Sequence, residues 1–253
     1  GWTVADKVPD ANTLRDFREA LVRADVFEQL FAQFAQPLQA QGWLAPDGRR
    51  VDASFVDVPR QRNTRAENAT IKAAGVPEAW DQTPAKQAQK DVAARWTKKN
   101  AEVHYGYKNQ VQADAKSKLL ERCALTDASV HGSQKLAELV ATEDGEIYAD
   151  SAYRSAEAEA MLAAKQVTSQ IHERADRNRP LTEEPKASHR QKSKIRARIE
   201  HVFGYLSQSM KGFYLRSIGR RRNAAAIGLI NLVYNLARYE PIVRLKRPPR
   251  NAA

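Results

Sequence analysis

Cysteine and long apolar runs are scarce in this chain of 253 residues. The single cysteine, Cys123, excludes a disulfide within the chain and is typical of a reducing compartment. The longest stretch without a charged residue, 223–237, is shorter than the roughly 20 residues of a membrane-spanning helix. The sequence also lacks a nucleophile elbow, a phosphate-binding glycine loop and a dinucleotide fingerprint. We therefore expect a cytoplasmic protein with no membrane partner and none of these chemistries.

Positive charge is abundant but unevenly placed. The net charge is +11, and residues 186–250 hold 16 Lys or Arg against only Glu200 and Glu240, a local balance of +14. Residues 1–185 hold 25 Lys or Arg against 28 Asp or Glu, a balance of −3. One block that carries the whole positive excess is typical of a protein that binds a polyanion, although a solvated basic face is the alternative. We expect nucleic acid as the partner.

The first hundred residues predict helices, a strand and an insertion. Apolar residues spaced by three and four over 12–41 predict one or two amphipathic helices, and "VDASFVDV" at 51–58 predicts a strand. The polar stretch 60–100 has little periodicity, which predicts a long mobile insertion or an arm that contacts DNA. The start, Gly1-Trp2-Thr3, has neither methionine nor a signal pattern, so we expect the native N-terminus to lie upstream.

The remaining elements alternate in a way that predicts a mixed sheet. "VHYGYKNQVQADA" and "KLLERCALTDAS" predict a hairpin, and helices then alternate with the short strands "EIYAD" and "VTSQIHE". Three consecutive strands followed by a helix-strand alternation favour an antiparallel meander with a parallel extension. A long helix capped by Ser188 and reaching Met210 should follow, and then a final helix from about Ala224 to Tyr239.

Three carboxylates stand where charge is costly. Asp52 lies in the first strand, Asp150 closes "EIYAD", and Glu200 lies on the basic helix. If the first and fourth strands are neighbours, all three side chains meet, and two divalent cations, Mg²⁺ or Mn²⁺, would remove their repulsion. The five histidines and one cysteine show no zinc spacing. Asp57 should face the opposite side of the strand and pair with an arginine.

Each of these carboxylates also has an ordinary structural interpretation. Asp150 can cap the next helix, and Glu200 can be a surface residue paired with Arg196. Asp127, which repeats the Asp-Ala-Ser pattern of the first strand, is the rival metal ligand, although it is better suited to cap the helix after it. The spacing alone leaves these alternatives open.

Six blocks of sequence resemble a known family. They are "VDASFVDVPRQRN", "RWTKKNAEVHYGYKNQVQAD", "LTDASVHGSQ", "YADSAYRS", "KIRARIEHVFGYL" and "SIGRRRNAAAIGLINLVYNLARY". In order, they are similar to the blocks of Asp-Asp-Glu (DDE) transposases of bacterial insertion sequences, specifically the insertion sequence five group. The resemblance runs from about Pro9 to Tyr239. It implies an α/β fold, with an RNase H-like mixed five-stranded sheet flanked by helices and an N-terminal helical segment.

The resemblance also implies a set of site residues. Asp52, Asp150 and Glu200 match the catalytic triad that holds two Mg²⁺ or Mn²⁺ ions. The family's Tyr-Arg-Glu-Lys signature falls on Ser193, Arg196, Glu200 and Ser207, so its Tyr and Lys are missing, and Lys194, Arg198 or Lys211 can replace their phosphate contacts. The side chains predicted to bind DNA are Arg60, Arg62, Lys98, Lys99, Lys108, Lys194, Arg196, Arg198, Lys211, Arg216, Arg220, Arg221 and Arg222.

The expected function is therefore DNA transposition. The predicted protein binds the terminal inverted repeats of its element as a homodimer, cuts there, and joins the freed 3′ hydroxyl to target DNA in the bacterial cytoplasm, close to the nucleoid. A catalytically silent DNA-binding derivative and an RNase H-like nuclease are the alternatives. The predicted organisation is a truncated helical N-terminal segment (1–47), a catalytic domain (48–240) with the 60–100 insertion, and a basic tail (241–253).

Overall fold

The computed structural model describes residues 3, 6–44, 48–173 and 192–245. Its strands are β1 Arg49–Asp57, β2 Arg95–Lys99, β3 Glu102–Asp114, β4 Leu120–Asp127, β5 Glu146–Tyr148 and β6 Thr168–Ser169. Its α-helices are α1 Ala11–Ala24, α2 Phe27–Ala40, α3 Arg65–Lys72, α4 Pro84–Ala88, α5 Leu136–Leu139, α6 Ala156–Ala164, α7 Arg198–Gly204 and α8 Arg220–Arg244. None of these helices is both long and apolar enough to cross a membrane.

The six strands in the described residues form one mixed sheet. The order is β2-β3-β1-β5-β6, and β4 pairs with the same long strand β3 that β2 pairs with. Pairing is antiparallel among β1, β2, β3 and β4, and parallel from β1 to β5 and from β5 to β6. The predicted mixed α/β architecture is confirmed, and the strand order is consistent with an RNase H-like fold. The predicted count of five strands is wrong, because β2 is additional.

One face of the sheet packs on two short helices. Val51 from β1 and Ile147 from β5 are completely buried, and they share a cluster with Leu136 and Leu139 of α5 and Leu162 of α6. Because β1 alternates in direction, the odd-numbered Val51 faces this cluster while the even-numbered residues of the strand face the opposite side. This face belongs to the structural core.

The other face packs on the C-terminal helices. Val111 and Leu120 contact Ile199 and Val202 of α7, and Phe31 of α2 joins the same cluster. The chain leaves α7 through a π-helical turn, Tyr205–Ser209, and bends before α8 begins. Asp52 lies directly opposite Val111 in the strand pairing, so its side chain is on this side of the sheet.

Buried asparagines fix the position of α8 on the sheet. Asn231 and Asn109 exchange two amide hydrogen bonds of 2.9 and 3.1 Å, and Asn235 donates to and accepts from the backbone of Leu120 at 2.8 Å. All three side chains are completely buried. Satisfied buried amides specify one register, because any shift leaves them without partners. The sequence predicted α8 from its apolar residues and did not identify this polar seam.

The 60–100 insertion has regular structure and is not the irregular stretch that we expected. Thr64 and Glu67 form a capping box at the start of α3. The indole of Trp80 is completely buried and donates to Glu67 at 2.6 Å. The insertion ends in β2, which extends the sheet along β3. One buried aromatic ring and one capping box therefore order a segment with little apolar periodicity.

The last helix begins earlier than predicted and is capped from a distance. It starts at Arg220, not at Ala224. Asp91 of the insertion is buried and accepts from the Gly219 amide at 3.1 Å and from the Asn223 amide group at 3.3 Å. Its carboxylate thus satisfies donors at the N-terminus of α8, where a negative charge is favourable. The predicted capping residue of the preceding helix, Ser188, lies outside the described residues.

The N-terminal helices pack against α8. Asp10 caps α1 by accepting from the Thr13 amide at 2.7 Å. Arg222 of α8 pairs with Glu19 of α1 at 3.0 Å, and the Arg221 guanidinium donates to the Arg23 carbonyl at 3.0 Å. Two of the arginines predicted to bind DNA therefore contact α1.

Candidate active site

Asp52 lies on β1, and Asp150 follows the neighbouring parallel strand β5. In the parallel pairing of β1 with β5, Arg50 is opposite Tyr148. Two residues further along from each are Asp52 and Asp150, and the charge of Asp150 acts to raise the pKa of Asp52. Asp52 also accepts from the Ala53 amide at 2.8 Å, which orients its carboxylate. The sheet topology thus brings together two of the three predicted catalytic residues.

Asp150 is also a capping residue, as its ordinary interpretation predicted. It precedes a 3₁₀ turn, Ser151–Tyr153, and accepts from the Ala152 amide at 3.3 Å and from the Ser151 hydroxyl at 3.1 Å. These two donors use one carboxylate oxygen, Oδ1. Capping by Asp150 is compatible with a role as a metal ligand, because its other carboxylate oxygen, Oδ2, takes no part in the cap.

The pKa values of the two aspartates are shifted in opposite directions. Burial raises the pKa of Asp52, although the Ala53 amide and the Arg196 charge oppose that effect. Burial also acts to raise the pKa of Asp150, but hydrogen bonds from Ala152 and Ser151 and the charge of Arg196 together lower it below its usual value. Neighbouring carboxylates with divergent pKa values are typical of functional sites.

Arg196 connects the first and third predicted catalytic residues. It lies in a helical segment, 192–196, just before α7, and its guanidinium is 3.6 Å from the Asp52 carboxylate and 3.8 Å from that of Glu200. Glu200 is 65 % exposed, whereas Asp52 is 22 % exposed. Glu200 therefore forms the helical ion pair that its ordinary interpretation predicted, and Arg196 stands between it and the aspartates.

The donor set suits a divalent cation, but the described side chains do not assemble a complete site. In 6–44, 48–173 and 192–245, no three His, Cys, Asp or Glu side chains lie close enough to hold a metal ion. Asp52 and Asp150 offer the oxygen ligands that Mg²⁺ and Mn²⁺ prefer. The pair thus fits one side of such a site, and Glu200 lies outside it in its ion pair with Arg196.

The other predicted carboxylates have structural contacts. Asp57 lies at the end of β1, 3.6 Å from His104, so the prediction of an arginine partner is wrong. Asp127 accepts from the amide and hydroxyl of Ser129, so it closes a turn and does not cap the following helix. His131 occupies that capping position.

The predicted DNA-binding residues differ in their contacts. Arg60 stacks over Trp96, and Lys108 lies over Phe55 and donates to the Val130 carbonyl at 2.7 Å. Arg220 donates to the Leu125 carbonyl at 3.3 Å. The exposed side chains among the remaining candidates are Arg62, Lys98, Lys99, Lys194, Arg198, Lys211 and Arg216.

Comparison with known families decides the assignment. A family model described as a transposase DDE domain matches residues 43–236. The matched segment contains Asp52, Asp150 and Glu200 and covers most of the chain. The chain belongs to the DDE transposase family. No solved structure matches it.

The family assignment makes the protein a transposase of the nucleotidyl-transferase type. In this DDE transposase the signature positions without Tyr and Lys have only short side chains. Ser207 donates to the Gly204 carbonyl at 3.3 Å, and Ser193 is exposed in the helical segment before α7. Neither side chain is cationic, and the predicted substitutes Lys194, Arg198 and Lys211 are exposed nearby in sequence.

Sequence analysis missed an ionic network at the start of β1. Arg49 is 2 % exposed and lies 2.6 Å from Glu121, 3.4 Å from Asp114 and 3.7 Å from Asp144. Adjacent arginines at a strand start resemble ordinary surface charge, and their acidic partners are 65 to 95 residues away in sequence. The only local signal was that the strand begins with charge and continues with apolar residues.

Proposed function

We propose that this DDE transposase binds the terminal inverted repeats of an insertion sequence of the insertion sequence five group, cuts DNA there and joins the 3′ end to target DNA. The observation that carries the proposal is the charge-coupled pair of Asp52 and Asp150 at the centre of the sheet. The six sequence blocks support the group and its bacterial host. The proposed location is the cytoplasm, at the nucleoid.

The proposed roles follow from the contacts of each residue. Asp52 and Asp150 would hold divalent cations, and Glu200 would complete the set. The chemistry that two bound Mg²⁺ ions supply is activation of the attacking water or 3′ hydroxyl and neutralisation of the leaving oxygen. Arg196 orients the Asp52 carboxylate and supplies positive charge close to where a phosphate would lie. The backbone amide of Ala53 holds Asp52 in place.

DNA contact would come from the basic side chains. The candidates Arg62, Lys98, Lys99, Lys194, Arg198, Lys211 and Arg216 are exposed and form no ion pair with a carboxylate of the described residues, which suits contact with the phosphate backbone. Two ends must be held together for coupled joining, so we propose a homodimer on DNA. Binding should weaken steeply as salt rises, and a flat salt dependence would contradict the proposal.

The test is cleavage and joining of duplex DNA taken from the boundary of the protein's own element, with and without Mg²⁺. Loss of a metal ligand removes several kcal/mol of transition-state stabilisation, so Asp52→Asn and Asp150→Asn should each reduce the rate by roughly a thousandfold or more. Glu200→Gln should also reduce it strongly. Asp57→Asn is the matched control, because Asp57 is on the same strand but faces the other side, and it should retain the rate.

Three outcomes separate the hypotheses. Full activity of folded Asp150→Asn and Glu200→Gln variants would overturn the catalytic assignment. Binding of end DNA that is equal with and without Mg²⁺, with no nicking, would favour the silent DNA-binding derivative. A preference for RNA–DNA hybrids over terminal repeats would favour the nuclease. Thermal unfolding of every variant checks that the fold is intact.

A further inference from the structure

A basic groove lies between the insertion and the start of α8. It is a cavity of about 310 Å³ lined by the cationic side chains of Arg60, Arg62, Lys86, Lys90 and Arg216. Among the described residues that line it, Asp91 is the only carboxylate. Five cations facing one carboxylate leave a large positive excess in a confined space. Such an excess favours an anionic ligand.

The carboxylate of Asp91 is already engaged. It is 2 % exposed and accepts from the Tyr107 hydroxyl at 2.8 Å, the Gly219 amide and the Asn223 side chain. It also accepts from the amides of the residues at 93 and 94. Its oxygens therefore point inward to neutral donors, and among the described residues they form no ion pair with the cations of the groove.

Among the described residues, Lys86 is the one cation of the groove that pairs with a carboxylate. Lys86 pairs with Glu67 at 2.8 Å, and Lys90 donates to the Arg62 carbonyl and to Asn63. Arg62 and Arg216 are exposed, and within 6–44, 48–173 and 192–245 neither has an ion-pair partner. The side-chain oxygen of Gln61 is buried at the same wall and has no hydrogen-bond partner among the described residues.

The groove begins just beyond the end of β1, the strand that carries Asp52. Val58, at its edge, is six residues after Asp52. Because side chains alternate along an extended chain, this even spacing places both side chains on the α7–α8 side of the sheet. At about 3.3 Å per residue, the separation along β1 is roughly 20 Å. Duplex DNA rises about 3.4 Å per base pair, so 20 Å corresponds to roughly six base pairs.

We propose that the basic groove binds the phosphodiester backbone of the DNA about six base pairs from the bond at Asp52. This inference rests on the proposed function, because the spacing is counted from the reacting phosphate. Arg62 and Arg216 make the phosphate contacts. The buried Asp91 joins the two walls of the groove, which are the insertion and the start of α8. The groove makes the 60–100 insertion part of the DNA surface and sets a minimum length of duplex for full affinity.

The test uses end DNA in which single backbone phosphates are replaced by uncharged methylphosphonates on either side of the cleaved bond. We expect wild-type affinity to fall up to about tenfold at positions near six base pairs, on the element side or on the flanking side. The double variant Arg62→Gln/Arg216→Gln should bind unmodified DNA more weakly and show no further loss at those positions. Its slope of log affinity against log salt should be shallower by about two.

The matched control is Arg65→Gln/Lys72→Gln. These two exposed residues are on α3 of the same insertion, outside the groove, and the charge change is identical. The control should keep the wild-type slope and methylphosphonate profile. A groove variant that keeps both would overturn the inference while wild-type cleavage still supports the proposed function. Sensitive phosphates confined to the two base pairs beside the cut would also overturn it. A wild-type protein that neither binds nor cuts end DNA would overturn both proposals.

Discussion

Two groups of carboxylates meet the same strand, β1, and they differ in exposure. At its start, Arg49 is enclosed with Asp114, Glu121 and Asp144. In its middle, Asp52 is beside Asp150 and forms an ion pair with Arg196, which is 27 % exposed. Carboxylates enclosed with their cations serve the fold, whereas carboxylates that remain open to solvent can still accept a ligand. The two groups differ in solvent exposure and in how completely cations pair with their carboxylates, although both are equally unusual in sequence.

The enclosed group is reinforced by a second cation. Arg122 of β4 contacts Asp144 at 2.9 Å, and Gln112 donates to the same carboxylate at 2.5 Å. The Ala141 amide donates to it as well, at 2.8 Å. A carboxylate with this many donors cannot rotate or leave without stranding buried charge. The ionic network therefore fixes the strand start that positions Asp52 three residues later.

The largest expected effect is that of Arg49→Met. Removing one partner of a buried ion pair leaves uncompensated charge, so we expect the free energy of unfolding to fall by about 3–5 kcal/mol. Urea unfolding monitored by circular dichroism measures this change. A loss below about 1 kcal/mol would mean that the enclosed group does not stabilise the fold.

Glu121→Gln should change the pH dependence of stability. Burial raises the pKa of Glu121 to about 7 from 4.5, even though Arg49 opposes the shift. The folded state then binds a proton that the unfolded state releases between these values, so this group reduces stability as pH rises from about 4.5 to 7, by up to about 3 kcal/mol.

The Glu121→Gln variant should lack that decline, so its stability relative to wild type should be higher at pH 8 than at pH 5. Unfolding free energies at both pH values, at constant ionic strength, measure the difference between wild type and variant. Glu143→Gln is the control, because Glu143 pairs with Arg122 but is half exposed. An identical pH profile for wild type and Glu121→Gln would contradict the prediction.

Arg196→Met is the counterpart of Arg49→Met in the open group. Because Arg196, Asp52 and Glu200 all have solvent access, we expect the free energy of unfolding to change by less than about 1 kcal/mol. The same urea experiment compares the two methionine variants directly. A loss as large as that of Arg49→Met would show that the open group is a second structural network.

The smallest expected effect on stability is that of Asp52→Asn. A carboxylate whose folded pKa is raised destabilises the fold once the pH exceeds its unfolded pKa, so the neutral amide should leave stability unchanged or raise it by up to about 1 kcal/mol at pH 7. Thermal unfolding measures the change. Destabilisation by more than that amount would mean that the Asp52 charge is needed for folding.

Much of the fold follows from local patterns. Strand alternation and the helix-strand order predict the α/β sheet and the neighbouring placement of Asp52 and Asp150. Strand β2 was missed because "RWTKK" is mostly exposed and lacks an apolar alternation, although it pairs with the adjoining start of β3. The order of the insertion depends on a buried Trp80, and a single indole gives no periodic signal. Both partners are near in sequence, but neither contact produces an apolar periodicity that would predict it.

The candidate site was predicted less completely than the sheet. Strand neighbours fix Asp52 and Asp150, because backbone pairing constrains both. The position of Glu200 depends on the side-chain conformation of Arg196 and on a helix that packs over the sheet, which spacing alone does not determine. The contacts of Arg221 and Arg222 with α1 were hidden for the same reason. A basic run in sequence does not say whether its partner is DNA or a neighbouring helix.

Asp91 links parts of the chain that are made at very different times. Its donors at Tyr107 and at residues 93 and 94 are synthesised soon after it, but those at Gly219 and Asn223 appear only near the end of the chain. During translation this carboxylate stays solvated, with only some of its hydrogen bonds formed, until the last helix has been synthesised. The nascent chain therefore cannot close its core until α8 has left the ribosome.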